Sequence, residues 1–196
     1  MKFLREIVRE NVTRQQVDSL AWDENWYSHD LIPPTEEAPY EEVWITQDDQ
    51  TTIHYIEDPL ISIRYFFIEG SNQEEVVSRI RSSLDTYKRD EICEMMKNAV
   101  ETKPCVAAIY HVGIAATQEY DTEFFEFFKF AFSHHDPKVR NAAILATGYV
   151  GWQEFREPLE HLKKSDTEQI VREFADYTLQ SLAKHNWKGN ADKNLE

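Results

Sequence analysis

Residues 41–70, EEVWITQDDQTTIHYIEDPLISIRYFFIEG, have the composition of a β-sheet. They contain three runs rich in β-branched and aromatic residues, at 43–46, 51–56 and 61–68. A polar turn separates the first two runs, and Asp58-Pro59 separates the second from the third. In the third run apolar and polar residues alternate, as in a strand with one buried face. The pattern predicts a three-stranded antiparallel meander over about residues 42–68.

The residues before this meander predict a small α+β segment over 1–70. Four apolar residues fall on one face of a helix near the start of the chain: Phe3, Leu4, Ile7 and Val8. Pro33-Pro34 then predicts an extended linker, because proline restricts the residue before it to extended conformations.

After Gly70 the spacing of apolar residues becomes helical, and short motifs recur. AAIYHVG at 107–113 returns as AAILATG at 142–148, an offset of 35 residues. VRNAA at 139–143 returns as VREFA at 171–175, an offset of 32 residues. Periods of this length are typical of stacked helix pairs. We therefore expect helical repeats over 71–185, followed by a polar C-terminal tail at 186–196.

Residues 136–182 resemble HEAT-type repeats, especially the short variety also found in phycobilin lyases. The matching residues are Asp136, Val139, Arg140, Ala142, Ala143, Gly148, Pro158, Leu159, Asp166, Val171, Arg172 and Ala175. The resemblance covers about residues 103–184 and does not reach 1–70. It implies a short HEAT-like α-solenoid and a family whose members mostly bind other macromolecules. The expected fold is therefore mostly α, with the three-stranded meander in a small N-terminal segment.

The stretch EYDTEFFEFFKFAFSHHDP, residues 119–137, has six phenylalanines in nine positions. Its apolar part is about half as long as the roughly 20 residues that a membrane-spanning helix needs. Phe124, Phe127, Phe128 and Ala131 share one helical face, and Phe125 and Phe132 form a second stripe. A repeat helix packs against several neighbours, so we expect both stripes in the core. A ligand groove lined by phenylalanine is the alternative.

Negative charge is concentrated in one quarter of the chain. The formal net charge is −15, and the residues between Arg14 and Arg64 include twelve acids but no lysine or arginine. This balance argues against nucleic acid as a partner, because phosphate binding needs clustered basic residues. Aromatic residues that include Trp22 lie among the acids and could anchor a protein partner. The predicted partner-binding residues are Asp23, Glu24, Trp26, Tyr27, Glu36, Glu37, Glu41, Glu42, Trp44, Asp48 and Asp49. A solvated surface that only aids solubility is the alternative.

No sequence motif of an enzyme, cofactor site or metal site is present. Nucleotide-binding glycine loops, zinc-protease motifs and nucleophile elbows are all missing. The acidic pair Glu41-Glu42 would point to opposite faces of a strand and would not chelate a cation. In His134-His135-Asp136 the aspartate is better placed as a helix cap. Cys93 and Cys105 fit neither a metal spacing nor a disulfide framework.

Together these features predict a cytoplasmic, non-enzymatic module that binds a cationic protein partner, without cofactor, metal, nucleic acid or membrane. The oligomeric state stays open. One alternative is an immunity protein or inhibitor that neutralises a basic toxin, such as a nuclease, by mimicking the charge of its substrate. Another alternative, implied by the resemblance, is a bilin lyase-like or chaperone role.

Overall fold

The structure is a computed structural model that describes residues 2–35 and 38–191. The chain forms two compact units, Met1–Ile92 and Cys93–Glu196. The predicted C-terminal tail at 186–196 lies partly outside the described residues, and the last helix continues to Ala191.

The first unit is a five-stranded antiparallel sheet with helices on one face. The strands are β1 (Phe3–Val8), β2 (Tyr27–Ile32), β3 (Tyr40–Ile45), β4 (Thr51–Asp58) and β5 (Ile63–Gly70). Their order across the sheet is β1-β5-β4-β3-β2, and every neighbouring pair is antiparallel. The helices are α1 (Arg14–Asp23) and α2 (Gln73–Ser83), and α3 (Arg89–Asn98) contains the boundary between the units.

The core of this unit lies between the sheet and the two helices. From the sheet, Ile53, Phe66 and Ile68 are fully buried. Leu20 of α1 and Ile80 of α2 belong to the same apolar cluster. Burying side chains of this size contributes about 1.5–3 kcal/mol each, so this layer is a major source of the unit's stability.

The two edges of the sheet differ. The outer edge of β1 is covered by the chain after α2, through a bridge between Val8 and Thr86 and a hydrogen bond from the Tyr87 N–H to the Ile7 carbonyl, 2.9 Å long. On β1 the buried carboxylate of Glu6 accepts two hydrogen bonds from Arg81, at 3.0 and 2.9 Å. In contrast, all six residues of β2 are exposed, and no further strand pairs with it among the described residues.

The second unit is helical in the part that the structure describes. Its helices are α4 (Thr102–Ala115), α5 (Thr122–Phe132), α6 (Pro137–Val150), α7 (Arg156–Ser165) and α8 (Gln169–Ala191), with a 3-10 turn at Gln153–Phe155. Helix α4 packs against α5 and α6, α6 also packs against α5 and α8, and α7 packs against α8 and α5.

Two arginines mark the internal repeat in this unit. The Nη1 atom of Arg140 donates to the carbonyls of His134 and His135, at 2.8 and 3.0 Å. That of Arg172 donates to the carbonyls of Asp166 and Thr167, at 2.7 and 3.1 Å. Each arginine thus binds the carbonyls six and five residues before it. The two arginines are 32 residues apart, which is the offset between VRNAA and VREFA in the sequence.

The cap of α6 is confirmed. The Asp136 carboxylate accepts from the Lys138 N–H at 2.8 Å, Pro137 is the first helical residue, and Gly151 ends the helix with φ +77°. A left-handed residue at this position suits glycine, which has no Cβ.

The predicted fold class is wrong: the chain is α+β with a five-stranded antiparallel sheet, and is not a mostly α solenoid with a three-stranded meander. The three predicted strands are present as β3, β4 and β5, but two more strands flank them. Residues 3–8, predicted on a helical face, form β1 because they pair with β5 along their whole length. Residues 27–32 form β2, which the sequence did not predict.

The phenylalanine-rich stretch forms α5. Phe124, Phe128 and Phe132 are buried, whereas Phe125 is half-buried and Phe130 is exposed. Fully buried Phe128 and Phe155 have ring centroids 4.6 Å apart in an edge-to-face arrangement. No helix among the described residues is long and apolar enough to cross a membrane.

Candidate protein-interaction surface

The eleven predicted partner-binding residues do not form one surface. Glu36 and Glu37 lie outside the described residues. Trp44 is buried in the core, and Trp26 packs against the same cluster, with its ring centroid 6.3 Å from that of Trp44. These two tryptophans therefore stabilise the unit from inside and offer little area to a partner.

The adjacent carboxylates of β3 lie on opposite faces of the sheet. The carboxylate of Glu41 is 2.5 Å from Nδ1 of His54 on β4. The carboxylate of Glu42, on the helix-bearing face, accepts from the Tyr40 hydroxyl at 2.9 Å. Burial raises the pKa of Glu42, and the negative charge of Asp18 raises it further. Both acids therefore have partners within the unit.

Glu24, Trp26 and Asp48 meet in a cleft of about 270 Å³ between the end of α1, the β3–β4 turn and the start of α2. Arg79 lies in this cleft, with Nε 3.7 Å from the Glu24 carboxylate. The carboxylate of Asp48 accepts from the Thr46 hydroxyl at 2.7 Å and from the Asn72 amide at 2.8 Å. The Thr46 hydrogen bond is the main cause of a lowered Asp48 pKa. The cleft carboxylates are therefore held in place by local contacts.

Arg14, which flanks the acidic stretch, neutralises part of its charge. Arg14 forms two hydrogen bonds with the Glu57 carboxylate, one of them 2.8 Å long, and its guanidinium lies 3.8 Å from the centre of the Tyr40 ring. Four acids on α1, on β2 and in the β3–β4 turn are instead exposed to solvent: Asp18, Asp23, Asp30 and Asp49. They set the negative surface potential of this unit.

Exposed apolar side chains accompany these acids in one short stretch. Trp22 is 83% exposed, Tyr27 58%, Leu31 54% and Ile32 37%. Elsewhere in Met1–Ile92, among the described residues, Leu60 is the one other large apolar side chain with comparable exposure. We call Trp22, Asp23, Tyr27, Asp30, Leu31 and Ile32 the edge surface.

The edge surface runs from the end of α1 along β2. Asn25 adopts a left-handed conformation, φ 54°, in the turn between them. Because paired residues share a face of the sheet, Tyr27, Asp30 and Ile32 follow Ile45, Val43 and Glu41 on the face without α1 and α2. Leu31 follows Glu42 on the opposite face. Of the six residues, the predicted partner-binding set included Asp23 and Tyr27, and Trp22 was predicted as a possible aromatic anchor outside that set.

The backbone of β2 has an unusual hydrogen bond. Its register with β3 shifts between Ser28 and Asp30. Just after this shift, the Leu31 N–H donates to the carboxylate of Asp30 at 2.8 Å. A backbone donor on the last strand of the sheet is thus occupied by a side chain of the same strand.

The second unit contains a cavity of about 830 Å³, which is within the range of ligand pockets. Phe125, Phe132 and Leu162 supply apolar lining, and His134, His135 and His161 lie at its polar parts. Nδ1 of His134 accepts from the Asp136 N–H at 3.1 Å, which leaves Nε2 as the donor of the neutral ring. No cluster of three metal-ligating residues occurs in the described part of the chain.

Cys105 is not arranged as a nucleophile. Neither Cys93 nor Cys105 forms a disulfide, and both are buried. The Cys105 thiol donates to the Ala99 carbonyl at 3.4 Å, and burial raises its pKa. A raised pKa keeps the thiol protonated, whereas a nucleophilic cysteine needs the thiolate.

Comparison of the chain with models of protein families, with curated proteins and with solved structures found no match.

Proposed function

We propose that the protein is a non-enzymatic module that binds a cationic protein through the edge surface. One observation carries this proposal. The most exposed large apolar side chains of the first unit, led by Trp22, lie within the stretch that has no lysine or arginine. Exposed tryptophan and tyrosine are frequent anchors of protein interfaces, and surrounding acids attract a basic partner.

The two kinds of residue would have different effects on binding. Trp22 and Tyr27 would bury apolar area, so their loss would speed dissociation of the complex. Asp23 and Asp30 lie at the rim, so their loss would slow association and reduce its dependence on salt. Charge at a rim typically changes the association rate more than the final affinity.

Affinity capture from a lysate of the source organism tests the proposal, with elution by a salt gradient. The edge bait carries Asp23→Asn and Asp30→Asn, and the control bait carries Glu126→Gln and Glu160→Gln, which removes the same charge from the second unit. We expect a basic protein that elutes from the edge bait at a lower salt concentration than from the wild type and the control bait. Elution at the same salt concentration from all three baits would place the binding site outside the edge surface. Retention by none would end the proposal.

An inhibitor of a basic toxin, such as a nuclease, is a narrower form of the same proposal. The exposed carboxylates of Asp18, Asp23 and Asp30 would then take the place of nucleic-acid phosphates. Nucleic acid that competes with this protein for the captured partner would favour this form, whereas simultaneous binding of both would exclude it.

The cavity of the second unit favours a second candidate function, binding of a small ligand such as a bilin. Its volume is sufficient, and Phe125 and Phe132 would contact an extended apolar ligand. Glu157, an exposed residue at the cavity, offers a way to fill it with Glu157→Trp. Biliverdin should change its absorbance spectrum with the wild type and much less with this variant. The same change with both proteins, or with neither, would argue against the candidate.

Two further proposals follow from the sequence. We propose a cytoplasmic location, where Cys93 and Cys105, which form no disulfide, remain reduced. We also propose a relationship of residues 103–184 to HEAT-type repeats. The equivalent contacts of Arg140 and Arg172 support it.

A further inference from the structure

The two edges of the sheet differ in how their backbone groups are satisfied. Residues 85–87 cover β1, where the Arg9 N–H donates to the Asp85 carbonyl at 3.0 Å and the Tyr87 N–H donates to Ile7. The outer edge of β2 has no such cover among the described residues, and all six of its residues are exposed. An uncovered edge is a template for an additional strand.

Asp30 protects this edge from pairing with another strand. Its carboxylate accepts a hydrogen bond from the Leu31 N–H at 2.8 Å, so this donor is not available to the carbonyl group of another strand. A charged side chain on an edge strand is a common protection against unwanted pairing. The protection depends on the carboxylate's position, and a cation that pairs with Asp30 would draw the carboxylate away from the backbone.

The negative charge of this unit determines which kind of strand could pair with the outer edge of β2. A second copy of this chain would bring another Asp30 and the same acidic stretch, so two β2 edges would repel each other. A basic segment in extended conformation would be attracted to the edge instead. The exposed apolar side chains of Leu31 and Ile32, on opposite faces of the sheet, would contact alternate side chains of such a strand.

We propose that β2 accepts a basic extended segment of the partner as a sixth strand. A lysine or arginine of that segment pairs with Asp30, which releases the Leu31 N–H to a carbonyl of the added strand. A basic strand can therefore pair with β2, because its positive charge makes the Leu31 N–H available, whereas a neutral strand leaves that donor bound to Asp30. This inference rests on the proposed function and specifies how its partner is held.

Three synthetic peptides test the proposal on the full chain. The first alternates lysine and valine, the second is the same peptide N-methylated at alternate residues, and the third has threonine in place of lysine. Methylation removes backbone donors and keeps the charge. We expect the first peptide to bind at least about tenfold more tightly than the second, because a ladder of backbone hydrogen bonds is lost. Bound peptide should also slow amide exchange at residues 27–32 most strongly.

The variant Asp30→Asn tests whether the Asp30 carboxylate protects the β2 edge. Asp49→Asn, in the β3–β4 turn, is a control with the same net charge. We expect the wild type and Asp49→Asn to prefer the lysine peptide to the threonine peptide. We expect Asp30→Asn to lose most of that preference, because its weaker acceptor holds the Leu31 N–H less well.

Several results would overturn the proposal. Equal binding of the methylated peptide would show attraction by charge alone. The proposal would also be contradicted if the lysine peptide did not bind, or if Asp30→Asn kept the full preference for the lysine peptide over the threonine peptide. If the capture experiment still yields a basic protein that depends on the edge surface, the binding module stands and only strand addition fails.

Discussion

The buried ion pair of the second unit allows a quantitative prediction. Arg140 donates from Nε and Nη2 to the two carboxylate oxygens of Asp166, both at 2.7 Å. Their side chains are 10% and 3% exposed. The variant Arg140→Met keeps much of the apolar stem but leaves the Asp166 carboxylate without its cation.

The expected loss follows from what remains. Asp166 still accepts from the Glu168 N–H at 2.9 Å, but the carbonyls of His134 and His135 also lose their donor. Removing one partner of a buried ion pair costs about 3–5 kcal/mol, mainly because a charge stays buried without compensation. We therefore expect the unfolding free energy of the second unit to fall by about 3–5 kcal/mol.

The variant Arg172→Met is the matched control. It removes the two equivalent hydrogen bonds to carbonyls, those of Asp166 and Thr167, and leaves the ion pair intact. The expected loss is about 1–2 kcal/mol. Urea titrations, with amide exchange in α6 and α8 as the readout, measure the loss of unfolding free energy of the second unit in each variant. Similar losses in both variants, or a loss below about 1 kcal/mol in Arg140→Met, would refute this reasoning.

The same pair predicts a dependence on pH. Burial raises the pKa of Asp166, but the hydrogen bonds from Arg140 and from the Glu168 N–H, together with the positive charges of Arg140 and Arg172, outweigh burial and hold the pKa below its ordinary value. A lowered pKa stabilises the folded state above the pKa of the unfolded carboxyl, and this contribution disappears as pH falls through the folded pKa. Acidification should therefore destabilise the wild type more steeply than Arg140→Met. The same decrease of unfolding free energy with falling pH in both proteins would contradict this role of the Arg140–Asp166 pair.

Further variants give the remaining predictions. Gly70→Ala should destabilise the first unit by about 3 kcal/mol or more in urea titrations, because a Cβ there would lie 2.1 Å from the Gln50 carbonyl oxygen and φ is +134°. Gly148→Ala, with nothing near its Cβ, should instead stabilise α6 by about 0.5–1 kcal/mol in the same titrations. Asp18→Asn should lower the Glu42 pKa in an NMR titration, since the charge of Asp18 helps raise it; a rise would contradict this cause.

The sequence predicts β3, β4 and β5 because turns join neighbouring strands and the β-forming residues are concentrated between those turns. It fails at β1, where the apolar residues at 3, 4, 7 and 8 satisfy a helical spacing as well as a strand. Only pairing with β5, which joins Phe3 to Glu69, decides between the two. It also misses β2, whose six exposed residues show neither a buried run nor an alternation.

The candidate surface was predictable in its charge and not in its exposed residues. The absence of lysine and arginine from 15–63 can be read directly from the sequence. Which tryptophan faces solvent cannot be read in this way: Trp44 lies in the core and Trp22 is exposed. That difference depends on how α1 packs against the sheet, which no local pattern encodes.

The position of β1 has a consequence for the order of folding. Strands β2 to β5 follow one another in the chain and in the sheet, so they can form successive hairpins by short loop closures. β1 comes first in the chain, yet among the described residues its one strand neighbour is β5, and its Glu6 accepts hydrogen bonds from Arg81 of α2. This strand therefore has to wait until β5 and α2 are formed, with a large loop to close. We expect the earliest strand in the chain to be the last one to join the sheet.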